Sequence, residues 1–253
     1  MPVNSDYPTT YLITSGETTR DTTPSSKEFG ALLSLVERAV AARISLVQLR
    51  EKKLTARTLY ELARRAAAIT ERSATRLLIN DRTDIARAAG ADGVHLTTQS
   101  LDVAVVRSMT DGAHPATIND SHPATIATRP ATHADVSNSS FLIGVSAHTI
   151  AQARAARDGG ADFAVLGPIF DTPSKRAYGS PLGLQQLTEA ARDLAPFPLL
   201  ALGGVNLENA RHALLAGAHG VAAIRLFADT RELVDVVRAI REAARDARQA
   251  ERD

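Results

Sequence analysis

Eight short apolar runs, TTYLIT, SLVQLR, RLLIN, DGVHL, FLIGVS, DFAVLG, PLLALGG and GVAAIRLF, recur along this chain between longer segments of helical spacing. Runs of this length with few polar interruptions suit strands covered on both faces, as in a parallel sheet. The intervening segments repeat apolar residues at three- and four-residue steps, for example Leu59, Leu62, Ala63, Ala66 and Ile69, or Ala210, Ala213, Leu214 and Gly217. Eight strands alternating with helices predict an α/β chain closed into a single (βα)8 TIM barrel.

The length agrees: 253 residues match the roughly 250 of one such barrel, so 1–253 reads as one domain. Three phrases, ARAAGADGVHL, RDGGADFAVLG and LLAGAHGVAAI, each end a helix at glycine before the next strand. They read as repeated barrel joints, because glycine at a helix C-cap accepts the left-handed conformation. Residues 111–140, DGAHPATINDSHPATIATRPATHADVSNSS, break the rhythm and repeat HPATI at His114–Ile118 and His122–Ile126. This Pro-, Thr- and Ser-rich stretch is expected to be a low-complexity insertion between the fourth helix and the fifth strand. Its scattered histidines read as loop residues rather than as metal ligands.

Composition narrows the partners. Twenty-nine basic residues against 28 acidic give a net charge of +1, so no global field favours nucleic acid or a membrane surface. Six Phe, four Tyr and no Trp leave little for stacking on single strands. The absence of cysteine excludes disulfides and thiolate chemistry and agrees with a reducing compartment. The first residues, MPVNSDYPTTYLITSG, show no secretory pattern, and no apolar run approaches the roughly 20 residues of a membrane span. The expectation is a cytoplasmic protein acting on a small molecule, with a homo-oligomer left open.

In this architecture the functional groups follow the strands. After the second run stand Gln48, Arg50, Glu51 and Lys52; after the third, Asn80 and Asp81; after the fifth, Ser146 and His148. GPIFDTPSKRAYG supplies Thr172, Ser174, Lys175 and Arg176 after the sixth, Gly203 and Gly204 follow the seventh, and Ile224 and Arg225 the eighth. Arg50, Lys52 and Lys175 come from two strand ends and converge on one anion in this reading, a phosphate or pyrophosphate. The GGV turn, with Asn206 as N-cap of the next helix, offers a second phosphate position. Two such regions imply two phosphorylated substrates, or one substrate and a vestigial site.

The motifs VQLREK, LLINDRTDIARAAGADGVHL, IGVSAHT, GPIFDTPSKRAYGSPLGL, LALGGVNLENA and GAHGVAAI together resemble one family, thiamine phosphate synthase with its relative TenI, the thiazole tautomerase. The resemblance spans nearly the whole chain outside 111–140. It implies that Gln48, Leu49, Arg50, Glu51, Lys52, Asn80, Ser146 and Lys175 hold hydroxymethylpyrimidine pyrophosphate, with Asp81 on Mg²⁺. It also implies that Thr172, Pro173, Ser174, Gly203, Gly204, Ile224 and Arg225 hold thiazole phosphate. Pyrophosphate would leave and the thiazole nitrogen replace it, with Mg²⁺, Arg50, Lys52 and Lys175 neutralising the departing anion.

Two positions depart from the family pattern. Where synthases carry a second Mg²⁺ carboxylate after GVHL this chain has Ser100, preceded by Gln99 and followed by Asp102. Arg225 stands where serine is common. The alternative implied by the resemblance is a TenI-like tautomerase, with His148 as the proton-transfer group. A third reading is a non-catalytic sensor of thiazole or thiamine phosphates. His95 reads equally as a structural and as a catalytic histidine.

Overall fold

The protein is described here by a computed structural model over residues 8–110, 141–172, 180–228 and 232–250. The predicted insertion at 111–140 lies outside these residues, as do Pro173, Ser174, Lys175 and Arg176. Eight parallel strands close into a barrel in chain order. They are β1 (Thr9–Ile13), β2 (Leu46–Leu49), β3 (Arg76–Asn80), β4 (Gly93–Leu96), β5 (Leu142–Ala147), β6 (Phe163–Leu166), β7 (Leu199–Leu202) and β8 (Gly220–Ala223). β1 closes the ring by pairing with both β2 and β8.

Each strand divides its side chains by the two-residue period of extended backbone. Tyr11, Leu46, Leu78, Phe163, Val165, Leu200 and Ala222 form one cluster in the barrel lumen. Their neighbours in sequence, including Leu12, Val47, Leu77, Ile79 and Val221, pack outward against the helices. Counting in twos from Leu46 and Leu78 puts Gln48 and Asn80 on the inner face, at the C-terminal rim.

The surrounding helices are α1 (Lys27–Ala41), α2 (Ala56–Thr70), α3 (Thr83–Ala89), α4 (Val103–Thr110), α5 (Ile150–Asp158), α6 (Gly183–Leu194), α7 (Ala210–Leu215), α8 (Arg225–Ala228) and α9 (Leu233–Ala250). α2 shows how the sequence sets a boundary and a face. Thr55 Oγ1 accepts from the Thr58 amide at 3.2 Å, capping an otherwise orphan donor. Leu59, Leu62, Ala63 and Ala66 are then buried along one stripe. At the far end of α3, Gly90 adopts φ +72°, the left-handed cap that the GADGVHL joint implied.

Two local expectations need correction. The helix expected across NLENARHALLAGAHG occupies only Ala210–Leu215. Asn206 and Asn209 exchange side-chain to backbone hydrogen bonds at 2.9 and 3.0 Å, and the Ala210 amide donates to the Asn206 carbonyl at 3.0 Å, so the turn ahead of α7 carries the reciprocal capping pattern expected of Asn206. The eighth run also ends earlier than its apolar composition suggests, and Arg225 begins a short helix. Among the described residues, no helix is long and apolar enough to cross a membrane.

Candidate active site

The ends of all eight strands form the rim of the barrel, and the stretch after β2, β3 and β4 is hollowed. A cavity of about 300 Å³ opens there, lined among others by Lys52, Asn80, Asp81, Arg82, Thr97 and Gln99. Asn80 is buried, whereas Lys52 and Asp81 are exposed. Asp81 holds φ +65°, a left-handed conformation that Asp tolerates better than most residues. Its amide donates to the His95 carbonyl at 2.9 Å, and the Arg82 amide donates to the Asn80 carbonyl at 2.8 Å. The strained turn is therefore held from both sides.

Glu51 differs from expectation. Its side chain is 2% exposed, and both oxygens accept hydrogen bonds from the loop after β1. Oε1 accepts from Thr14 Oγ1 at 2.6 Å and from the Gly16 amide at 3.3 Å. Oε2 accepts from Thr18 Oγ1 at 2.6 Å and from the Thr18 amide at 3.4 Å. Such a carboxylate anchors a loop and is poorly placed to face a pyrophosphate, which it would also repel. Leu49 is fully buried in the outer core and forms part of the apolar wall of the cavity. Arg50 is half-buried, and its amide is tied to Thr14 Oγ1 at 2.8 Å.

Inside the rim, four polar side chains form a continuous chain. Gln48 Nε2 donates to the Tyr11 hydroxyl at 2.7 Å. The hydroxyl lies 3.1 Å from His95 Nδ1, and His95 Nε2 lies 2.9 Å from Ser146 Oγ. Tyr11, missing from the sequence-based candidates, is thus central; the available signal was a tyrosine on an inward strand position, whose hydroxyl needs a partner when buried. Burial, and secondly the Arg50 charge, lower the His95 pKa from 6.5 to about 3. Burial also raises that of Tyr11.

The His95 shift has a measurable consequence. From pH 6.5 down to about 3, the unfolded chain binds one more proton at this position than the folded protein. Stability therefore falls with acid across that window by about 1.4 kcal/mol per pH unit, and this contribution is flat above it. His95→Gln removes the titration. Urea unfolding between about pH 6 and 4 should show a steeper loss in the parent than in the variant; equal slopes would mean that His95 protonates normally in the fold.

The remaining candidates are spread around the rim. Ser146 is half-buried and His148 is exposed. His148 Nδ1 donates to the Gly167 carbonyl at 2.7 Å, which leaves Nε2 with the lone pair. Gly203 and Gly204 have φ +92° and +67°, and a Cβ on them would lie 2.6 Å from Pro168 Cα and 2.5 Å from the Asp171 carbonyl. The double glycine thus serves close packing of the loop after β6, whatever it also offers a ligand. Thr172 is buried, Ile224 packs against the lumen cluster, and Arg225 is exposed.

Ser100 accepts from the Thr97 amide at 2.7 Å, and its own amide donates back to the Thr97 carbonyl at 3.1 Å. Its hydroxyl is engaged in a turn, and Thr97 and Gln99 are the residues of this turn that line the cavity with Asp81. Among the described residues, no three imidazole or carboxylate side chains cluster as a metal site. One carboxylate with the amide oxygens of Asn80 and Gln99 still suits Mg²⁺, a hard cation that completes its octahedron with water and substrate phosphate.

Comparison with known proteins converges on one family. A family model described as thiamine monophosphate synthase matches residues 11–117 and 125–227. A Geobacter sulfurreducens protein provisionally named a thiamine-phosphate synthase is 45% identical over 76% of this chain and 78% of its own. The thiamine-phosphate synthase of Moorella thermoacetica is 34% identical over 85% of this chain and 90% of its own. Among solved structures, a thiamine phosphate pyrophosphorylase from Pyrococcus furiosus shares the fold, with TM-score 0.69, 21% identity, and coverage of 94% of this chain and 96% of that one.

Proposed function

Because this chain belongs to the thiamine monophosphate synthase family, we propose that it couples hydroxymethylpyrimidine pyrophosphate to thiazole phosphate and forms thiamine phosphate. The observation that carries this reading is the C-terminal rim, where Asn80, Lys52 and Asp81 line one cavity and where the inward polar chain brings Gln48 and Ser146 to the ends of β2 and β5. The inward set offers donors and acceptors to a heteroaromatic ring. Arg50, Lys52 and Lys175 offer positive charge to its pyrophosphate.

In the reaction the methylene C–O bond breaks and pyrophosphate departs with the electron pair. The lone pair of the thiazole nitrogen forms the new C–N bond, so no proton transfer is required. The chain's task is to hold both rings in line and to stabilise the departing charge. Asp81, with Asn80 and Gln99, would hold Mg²⁺, whose contribution when bound is further neutralisation of the pyrophosphate. The second substrate's phosphate would sit among Thr172, Pro173, Ser174, Gly203, Gly204, Ile224 and Arg225. In place of the family's common serine, Arg225 adds a cation able to bind phosphate bidentately.

The test is pyrophosphate release from the two substrates with Mg²⁺ titrated and the product identified by mass. Mg²⁺-dependent turnover is expected, and Lys175→Ala should lower it by about 100-fold or more. Undiminished turnover in that variant would remove Lys175 from the site.

A second reading has one observation in its favour. The hydrogen bond from His148 Nδ1 to the Gly167 carbonyl presents Nε2 as a base, which suits tautomerisation of a thiazole carboxylate phosphate. Under that reading His148→Ala abolishes aromatisation and Mg²⁺ is dispensable. A chain that releases pyrophosphate normally after His148→Ala is a synthase.

A further inference from the structure

The polar chain through the lumen fixes where its hydrogens lie. Gln48 Nε2 can only donate, so the Tyr11 oxygen accepts at 2.7 Å and its single hydrogen remains to be placed. Tyr11 is fully buried, and the acceptor within reach is His95 Nδ1 at 3.1 Å. With Nδ1 accepting, the imidazole carries its hydrogen on Nε2 and donates to Ser146 Oγ at 2.9 Å. The Ser146 hydroxyl then keeps its own hydrogen for another partner. The reverse arrangement, with Ser146 donating inward, would consume that hydrogen and bury a tyrosine hydroxyl without an acceptor.

The packing holds the chain in register. The Tyr11 and His95 rings lie 5.6 Å apart, and each tilts against Phe163, at 5.7 and 6.1 Å. A Cβ on Gly144 would stand 2.8 Å from His95 Nδ1 and would also strike the Phe163 ring. The imidazole is therefore confined on three sides, and only its Nε2 edge faces Ser146.

We propose that Tyr11 and His95 are positioning residues that keep the Ser146 hydroxyl hydrogen turned to the barrel mouth, so that the site selects a pyrimidine presenting an acceptor atom there. The inference rests on the pyrimidine pyrophosphate reading above for its ligand. The tautomer it requires is a property of the protein alone.

Two measurements test it. ¹⁵N spectra of the labelled imidazoles, with His95 assigned through His95→Gln, should show Nε2 protonated and Nδ1 bare in the parent protein at neutral pH. A proton on Nδ1 overturns the proposal, and this arm needs no variant to be active. The second arm compares Tyr11→Phe, Ser146→Ala and the double variant. Each single change should raise KM for hydroxymethylpyrimidine pyrophosphate about tenfold, as for one lost hydrogen bond, while KM for thiazole phosphate stays unchanged. The double variant should equal Ser146→Ala alone. Additive losses, or a parallel rise in both KM values, would make Tyr11 a packing residue and overturn the relay. Should the parent turn over neither substrate, dissociation constants for the pyrimidine ligand replace KM. A parent that does not bind it refutes the pyrimidine assignment, and the acceptor selection with it, whereas the tautomer spectrum still decides the relay.

Discussion

Glu51→Ala should lower the melting temperature by about 6–12 °C, the shift that about 3 kcal/mol produces in a domain of this size. The loss comes from donors. The Thr14 and Thr18 hydroxyls and the Gly16 and Thr18 amides all point at this one carboxylate, and Thr14 and Thr18 are themselves buried. Removing the acceptor leaves them desolvated with no replacement. Glu51→Gln should recover only part of the loss. Each carboxylate oxygen receives two donors, so either orientation of the amide turns an NH₂ toward groups that already donate. Activity should fall further than stability, because Thr14 also receives the Arg50 amide and so sets the rim from which that guanidinium reaches. A Glu51→Ala protein with parental melting temperature would refute the anchor and return Glu51 to the list of ligand contacts.

The contrast between Glu51 and its neighbours shows what a sequence reveals here. All eight strands stand out because a strand buried on both faces must be apolar throughout, and that signal is local. The stripe of Leu59, Leu62, Ala63 and Ala66 is local as well, and so is Gly90. Gln48, Asn80 and Ser146 follow from counting in twos toward the C-terminal rim, a rule of the architecture. Nothing local distinguishes Glu51 from Lys52 beside it. Its partners lie 33 to 37 positions earlier, and Tyr11 meets His95 across 84. Hydrogen bonds that span the closed barrel leave no periodicity behind. Ser100 was closer to legible: its partner Thr97 is three residues away, a short-range hydroxyl turn of the kind TTQS favours.

Asp81 should separate activity from stability more sharply than any other residue of the rim. Its left-handed backbone, φ +65°, is fixed by hydrogen bonds of the Asp81 and Arg82 amides that no side-chain substitution removes. Asn accepts this conformation about as well as Asp, and glycine accepts it without steric cost. Alanine is expected to lose about 1 kcal/mol there, or about 2–4 °C. Melting temperatures should therefore place Asp81→Gly and Asp81→Asn at or near the parent, with Asp81→Ala below them. Mg²⁺-dependent pyrophosphate release should not follow that order. All three variants lose the exposed carboxylate lining the cavity beside Asn80 and Gln99, the neighbouring Glu51 being taken up by Thr14, Gly16 and Thr18, and each should fall by about 100-fold or more. An Asp81→Asn enzyme that keeps both its turnover and its Mg²⁺ response would assign Asp81 to the turn alone. The metal would then need its protein ligands elsewhere, with Asp102 the next carboxylate along the same rim to replace.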